Sequence, residues 1–216
     1  MWTLEGSLVA IDPRYDSAGG PISLASEIVG AQAPGGQISV SDGHLWVAAP
    51  LATLIRVDAA DGRNPHPILP DGGVQGAIAS GEGELWVAGE AGVYPISPQT
   101  GASGPVVELG VVRGLAFGAG SLWVLSGGLE QRGGIAPALR RVDPDTGIAV
   151  ATTSVGNDPV AVAVAGGSIW VAARSDRMIE RVDPASDRVV ARIAVAGEPI
   201  ALAPDTGGVW VATGRG

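Results

Sequence analysis

GHLWVA at 43–48, GELWVA at 83–88, GSLWVL at 120–125, GSIWVA at 167–172 and GGVWVA at 207–212 are five copies of one phrase, each built around a tryptophan. Trp2 is a sixth mark, and the successive intervals from it are 44, 40, 37, 47 and 40 residues. A repeat of that length is what one four-stranded propeller blade requires. The phrase sits inside a larger repeating unit. A small apolar stretch precedes each copy: 37–40, 76–80, 114–117, 160–164 and 200–203. A glycine three residues before each Trp (Gly43, Gly83, Gly120, Gly167, Gly207) supplies the turn into the Trp strand, where positive φ costs least without a Cβ.

A second phrase follows: LVAID from Leu8, LIRVD from Leu54, LRRVD from Leu139 and IERVD from Ile179, with YPIS from Tyr94 as the divergent copy. Alternating apolar and polar residues predict a half-buried third strand. It closes in DPDTG at 143–147 and DPASD at 183–187, where Pro presets a turn dihedral and Asp can bond the turn backbone. Asp12, Asp58, Asp143 and Asp183 therefore read as turn residues, and the tryptophans as core wedges between blades. The expected fold is all-β, a propeller of four-stranded antiparallel blades forming one domain over 1–216. It is either five-bladed or the larger part of a six- or seven-bladed ring. Counting strands leaves one more than twenty, so the chain ends are expected to interleave or to leave a redundant terminal strand free for self-association.

Composition narrows the chemistry. With 216 residues there is room for one all-β domain with a substantial core. Cys is absent, which excludes disulfides, thiolate metal sites and cysteine nucleophiles. Lys is absent too, so all 13 cations are Arg, and against 22 acids they leave a net charge of −9. That balance argues against nucleic acid and anionic membranes as partners and favours a peptide, a protein or a small polar ligand. No run of about 20 apolar residues predicts a membrane span, and the first residues lack the pattern of a signal peptide. DAADG at 58–62 and DPDTG lack the oxygen-ligand spacing of a calcium loop, no GxSxG elbow is present, and the glycine pairs are not followed by a helix start.

Ser168–Ala203 and Gly120–Ala163 resemble bacterial YVTN and NHL-like propeller repeats, related to the virginiamycin B lyase-like propeller superfamily. The resemblance covers nearly the whole chain and rests on turn and core residues. It implies extracytoplasmic sensor or interaction domains, stand-alone surface proteins and, in a minority, lyases or redox enzymes. The lyases of that group use His and acidic residues around a divalent metal at the channel mouth. Only His44 and His66 are available here, and neither falls where that motif would need it.

Two departures from the repeat mark a candidate site, because function is grafted where a repeat breaks. One is the connection SGGLEQRGGIAPA at 126–138, with Glu130, Gln131 and Arg132. The other is a set of polar residues at the entrances of the inner strands and on loops of the same face: Gln37, Gln75, Arg113, Asn157, Asp158, Arg174, Asp176, Arg177 and Glu198. Arg113 stands where other copies carry small or apolar residues and can form a bidentate contact with a carboxylate, or an internal ion pair with Asp158 or Glu198. The leading expectation is a non-catalytic binding or sensor module using this mouth, with no cofactor and no metal. The alternative is a lyase or hydrolase with Glu130, Asp158, Asp176 and Glu198 around a divalent metal. A second alternative is a structural fragment without a ligand.

Overall fold

A computed structural model describes residues 7–8, 11–12, 17–18, 22–23, 37–49, 53–60, 64, 66–127 and 136–214. Every regular element among them is a strand. Four complete antiparallel sheets follow one another along the chain, each running inner, second, third, outer strand. Blade 1 is β5 (Gln37–Ser41), β6 (His44–Ala49), β7 (Thr53–Asp58) and β8 (His66–Ile68). Blade 2 is β9 (Ile78–Gly81), β10 (Glu84–Ala88), β11 (Gly92–Ile96) and β12 (Val107–Glu108). Blade 3 is β13 (Val112–Gly118), β14 (Ser121–Ser126), β15 (Ala138–Val142) and β16 (Ala149–Ser154). Blade 4 is β17 (Pro159–Ala165), β18 (Ser168–Ala173), β19 (Met178–Asp183) and β20 (Arg188–Ala194). A hairpin of β21 (Glu198–Pro204) and β22 (Val209–Gly214) supplies the first two strands of a fifth blade.

Before blade 1, β1 (Ser7–Leu8) pairs with β4 (Ile22–Ser23), and β2 (Ile11–Asp12) pairs with β3 (Ser17–Ala18). These pairings are nested, and the described ends of the LVAID phrase, Leu8 and Ile11–Asp12, lie within them. Trp2 lies outside the described residues. The fold is a β-propeller of four-stranded antiparallel blades.

The turns show why the Trp phrase is preceded by glycine. In the first four blades a two-residue loop joins inner and second strands, and both loop residues have positive φ: Asp42 and Gly43, Glu82 and Gly83, Ala119 and Gly120, Gly166 and Gly167. Positive φ at both positions is the type I′ hairpin, whose twist matches that of the strands. The fifth copy departs from expectation. Pro204 pairs with Val209 across four loop residues, the Asp205 N–H donates to the Gly208 carbonyl at 2.8 Å, and Gly207 does not adopt positive φ.

The aspartate turns behave as their chemistry dictates. Asp143 Oδ1 accepts from the N–H groups of Asp145 (3.0 Å) and Thr146 (3.1 Å). Asp183 accepts from Ala185 N–H at 3.1 Å and from the Ser186 hydroxyl at 2.7 Å, which together hold its carboxyl below the usual carboxylate range. In the divergent copy Ser97 takes over, its Oγ accepting from Thr100 N–H at 3.3 Å.

The core lies between blades. Trp46, Ala48 and Leu54 of blade 1 pack with Val74, Leu85 and Ile96 of blade 2. Trp86 and Ala88 pack with Leu115, Leu122 and Val142 of blade 3, and Trp123 and Leu125 pack with Ile169, Val171 and Val182 of blade 4. Each of these three Trp residues is thus covered by the blade that follows it. Where the follower is complete, the Trp is buried: 0 % exposed for Trp46 and 1 % for Trp86 and Trp123. Trp170, followed by half a blade, is only partly buried, and Trp210 is 73 % exposed. The expectation that every tryptophan is core therefore fails at Trp210, because burial depends on the neighbour and not on the residue.

Tyr94, 1 % exposed, occupies the third strand of blade 2, and its hydroxyl donates to the Gly73 carbonyl. Its ring lies against Gly72 and Gly89, where a Cβ would come within 2.7 and 2.6 Å of it. Burial pushes the phenol up to about 12 from 10.0. The folded state therefore holds this proton more tightly than the unfolded chain. The stability it contributes is complete below pH 10 and is lost as pH rises towards 12. Melting temperatures recorded from pH 9 to 12 are expected to fall less steeply in Tyr94→Phe than in wild type; equal slopes would remove Tyr94 from the alkaline transition.

Candidate functional site

Strand order fixes two ends of the molecule. Inner-to-second and third-to-outer turns lie at one end, while second-to-third and outer-to-inner connections lie at the other. At this second end the inner strands begin, and each of five successive repeats carries a polar residue there. Gln37 opens β5, Gln75 precedes β9, Arg113 lies near the start of β13, Asp158 immediately precedes β17, and Glu198 opens β21. The inner strands bound one open cavity of about 370 Å³, reached by Gln37, Ser80, Phe117, Val164 and Pro204 among others. Most of its lining residues are apolar, and Ser80 in the wall is joined hydroxyl to hydroxyl with Ser39 at 2.7 Å.

Arg113 owes its position to a bulge. Val112 pairs with Ser126 and Gly114 with Leu125, so Arg113 is the extra residue of the strand, and β17 and β21 bulge at the equivalent Val160 and Ile200. Bulges of this kind re-aim a side chain. Arg113 is exposed, and its Nε donates to the Gly127 carbonyl at 3.0 Å, at the root of the 126–138 connection. Glu130, Gln131 and Arg132 lie outside the described residues. The root itself is closed by the Ser126–Ala138 strand pair.

Asp158 does not pair with Arg113. Its carboxylate accepts from Arg174 Nε at 2.6 Å, and the Arg174 N–H donates to the Asp158 carbonyl at 3.0 Å. The hydrogen bond to Asp158 raises the Arg174 pKa further, and the charges of Asp158 and Glu198 add to it. Asp158 itself holds φ +50, a left-handed conformation that Asp tolerates better than most non-glycine residues. Asp176 bonds the loop before β17, accepting from Asn157 N–H at 2.7 Å and from the Asn157 amide at 3.1 Å. Arg177, also at positive φ, closes the β18–β19 turn through its N–H to the Arg174 carbonyl. Gln37 reaches into blade 2, where its Oε1 accepts from Ile78 N–H at 3.2 Å. Gln75 is exposed, and its backbone N–H donates to Ala88 O at 2.8 Å.

One acid was missing from the sequence-based set. Glu180, 2 % exposed, accepts from Gly156 N–H and from Arg192 Nε, both at 2.8 Å. It occupies the third-strand column held by Ile55, Tyr94 and Arg140 in the other blades. A charged residue where blades 1 and 2 carry Ile55 and Tyr94 was the available signal, and Arg140 of blade 3 shares it. The segment 156–158 is thus held by Glu180, Asp176 and Arg174 together. These bonds occupy oxygens of Asp158 and Asp176, two of the acids that a metal-assisted reaction would use. Among the described residues, no group of three or more His, Asp or Glu side chains converges as metal ligands would. His44 opens β6, with Nε2 3.5 Å from Asp58, and His66 lies exposed on the outer strand β8.

No protein-family profile and no curated protein matches the chain. Among solved structures it is similar to hydrazine synthase from Kuenenia stuttgartiensis, with a TM-score of 0.67 and 18 % identity over 81 % of this chain and 53 % of that one. It is also similar to a chain of a mitotic checkpoint complex, with a TM-score of 0.69 and 14 % identity over 91 % of this chain and 60 % of that one. The chain spans little more than half the length of each. At such identities the likeness establishes the propeller fold alone.

Proposed function

We propose that this chain is a non-catalytic ligand- or protein-binding propeller module of the YVTN and NHL-like kind, working through the mouth at the inner-strand entrances. The observation that carries the reading is Arg113, an exposed guanidinium set on a β-bulge beside the root of the 126–138 connection. Its Nε is held by Gly127 O, which orients the rest of the fork towards a bidentate acceptor. The ligand class that fits is a carboxylate, carried by a peptide, a partner protein or a small polar molecule. Gln37, Gln75, Asn157 and Glu198 would add polar contacts around the rim. Two of the acids that a lyase or hydrolase would use, Asp158 and Asp176, are engaged by the chain's own donors, which supports binding over metal-assisted catalysis.

A thermal-shift panel of divalent metals, sugars and short peptides tests the reading, since a ligand selective for the folded state raises the melting point. A rise with a peptide or polar molecule that is lost in Arg113→Ala is expected. A rise with a divalent metal that survives in Arg113→Ala would overturn it.

A further inference from the structure

One inter-blade contact is made on both sides of blades 2 and 3 and is missing between them. The residue paired with the blade tryptophan on the third strand is Arg56 opposite Trp46, Arg141 opposite Trp123 and Arg181 opposite Trp170. Arg56 Nη1 reaches the Pro98 carbonyl in the next blade's turn at 3.5 Å. Arg141 makes the same reach to Pro184 O at 3.3 Å, with its other nitrogen 3.1 Å from the Asp187 carboxylate. Between blades 2 and 3 the equivalent residue is Pro95, opposite Trp86, and it has no donor to give. A cavity of about 220 Å³ opens there, walled by Trp86, Pro95 and Val107 on one side and by the Pro144–Gly147 turn on the other. Val107 and Gly147 close its floor, since a Cβ on Gly147 would lie 3.3 Å from the valine.

We infer that this cavity is a binding site for an arginine side chain presented by a partner peptide or protein, which takes the place that the chain's own arginine holds at the neighbouring interfaces. The Pro144 carbonyl corresponds to the Pro98 and Pro184 acceptors, and the exposed Asp145 carboxylate stands in the same turn as a partner for a guanidinium. The volume suits a side chain and not a drug-sized ligand, which needs roughly 300 Å³ or more. A net charge of −9 draws such a cation in. The site lies at the end of the propeller opposite the Arg113 mouth and does not depend on it.

The probe is acetyl-arginine amide, titrated into ¹⁵N-labelled protein while the Trp86 indole N–H resonance is followed, with acetyl-norleucine amide as the uncharged control. Saturation in the range of about 1–10 mM is expected, with no saturable response to the norleucine amide. Pro95→Arg restores the internal arginine; it is expected to melt no lower than wild type and to bind the probe at least about tenfold more weakly. Asp145→Asn, in an exposed turn, is expected to weaken binding several-fold, and it decides the matter should Pro95→Arg not fold. A wild-type response that never saturates, an equal response to norleucine amide, or undiminished binding in both variants overturns the inference.

Discussion

Trp123→Ala is expected to lower the free energy of unfolding by about 3–5 kcal/mol, whereas Trp210→Ala is expected to change it by no more than about 0.5 kcal/mol. The two residues occupy the same place in the same phrase, but Trp123 is sealed by Ile169, Val171 and Val182 of the next blade while Trp210 is 73 % exposed. Trp123 also loses its indole bond to the Gly118 carbonyl, 3.0 Å away. A loss of this size is a large part of the total stability of a small domain. Urea unfolding of both variants measures it. Equal losses would mean that a further blade face covers Trp210 as it covers Trp123.

Glu180→Ala is expected to cost about 2–3 kcal/mol, and Glu180→Gln clearly less. Alanine leaves the Gly156 N–H without an acceptor in a crowded place; a Cβ on Gly156 would lie 2.5 Å from Asp176 Oδ2 and 2.7 Å from Ala173 Cβ. Glutamine keeps an oxygen for Gly156. The Arg192 partner is 58 % exposed and returns to solvent at little cost, which keeps the loss below that of a buried ion pair broken on one side. The same unfolding experiment separates the variants. An alanine variant as stable as the glutamine variant would show that Gly156 finds another acceptor and that Glu180 does not hold the 156–158 segment.

The blades were legible because their signals are local. The Trp phrase, the glycine before it and the RVD phrase each act within a few residues, and the structure pairs them as their spacing requires. Burial was not legible, because it is a property of the next blade: nothing in GGVWVA distinguishes Trp210 from Trp123. The same limit applied at the mouth. Arg113 stood out as a cation in a small or apolar column, but its bulge is a matter of register. That Asp158 belongs to Arg174 depends on a turn that brings residues 16 positions apart within 2.6 Å. Glu180 was hidden in a strand phrase read as half-buried, where a polar residue is expected to face solvent. Pro95 had been seen only as a divergent copy; that it vacates an arginine's place became visible once Arg56 and Arg141 were found reaching into the following blade.

Arg113 is the residue proposed to read a carboxylate at one mouth. The most direct test is an NMR titration of ¹⁵N-labelled protein with trialanine bearing a free C-terminal carboxylate, and with its C-terminal amide. The account predicts saturable shifts for the carboxylate form at Arg113, Gly127, Asp158 and Glu198, with none for the amide form and none in Arg113→Ala. Shifts confined to the opposite end, around Asp42 or Asp143–Gly147, or equal responses to the two peptides, would contradict it.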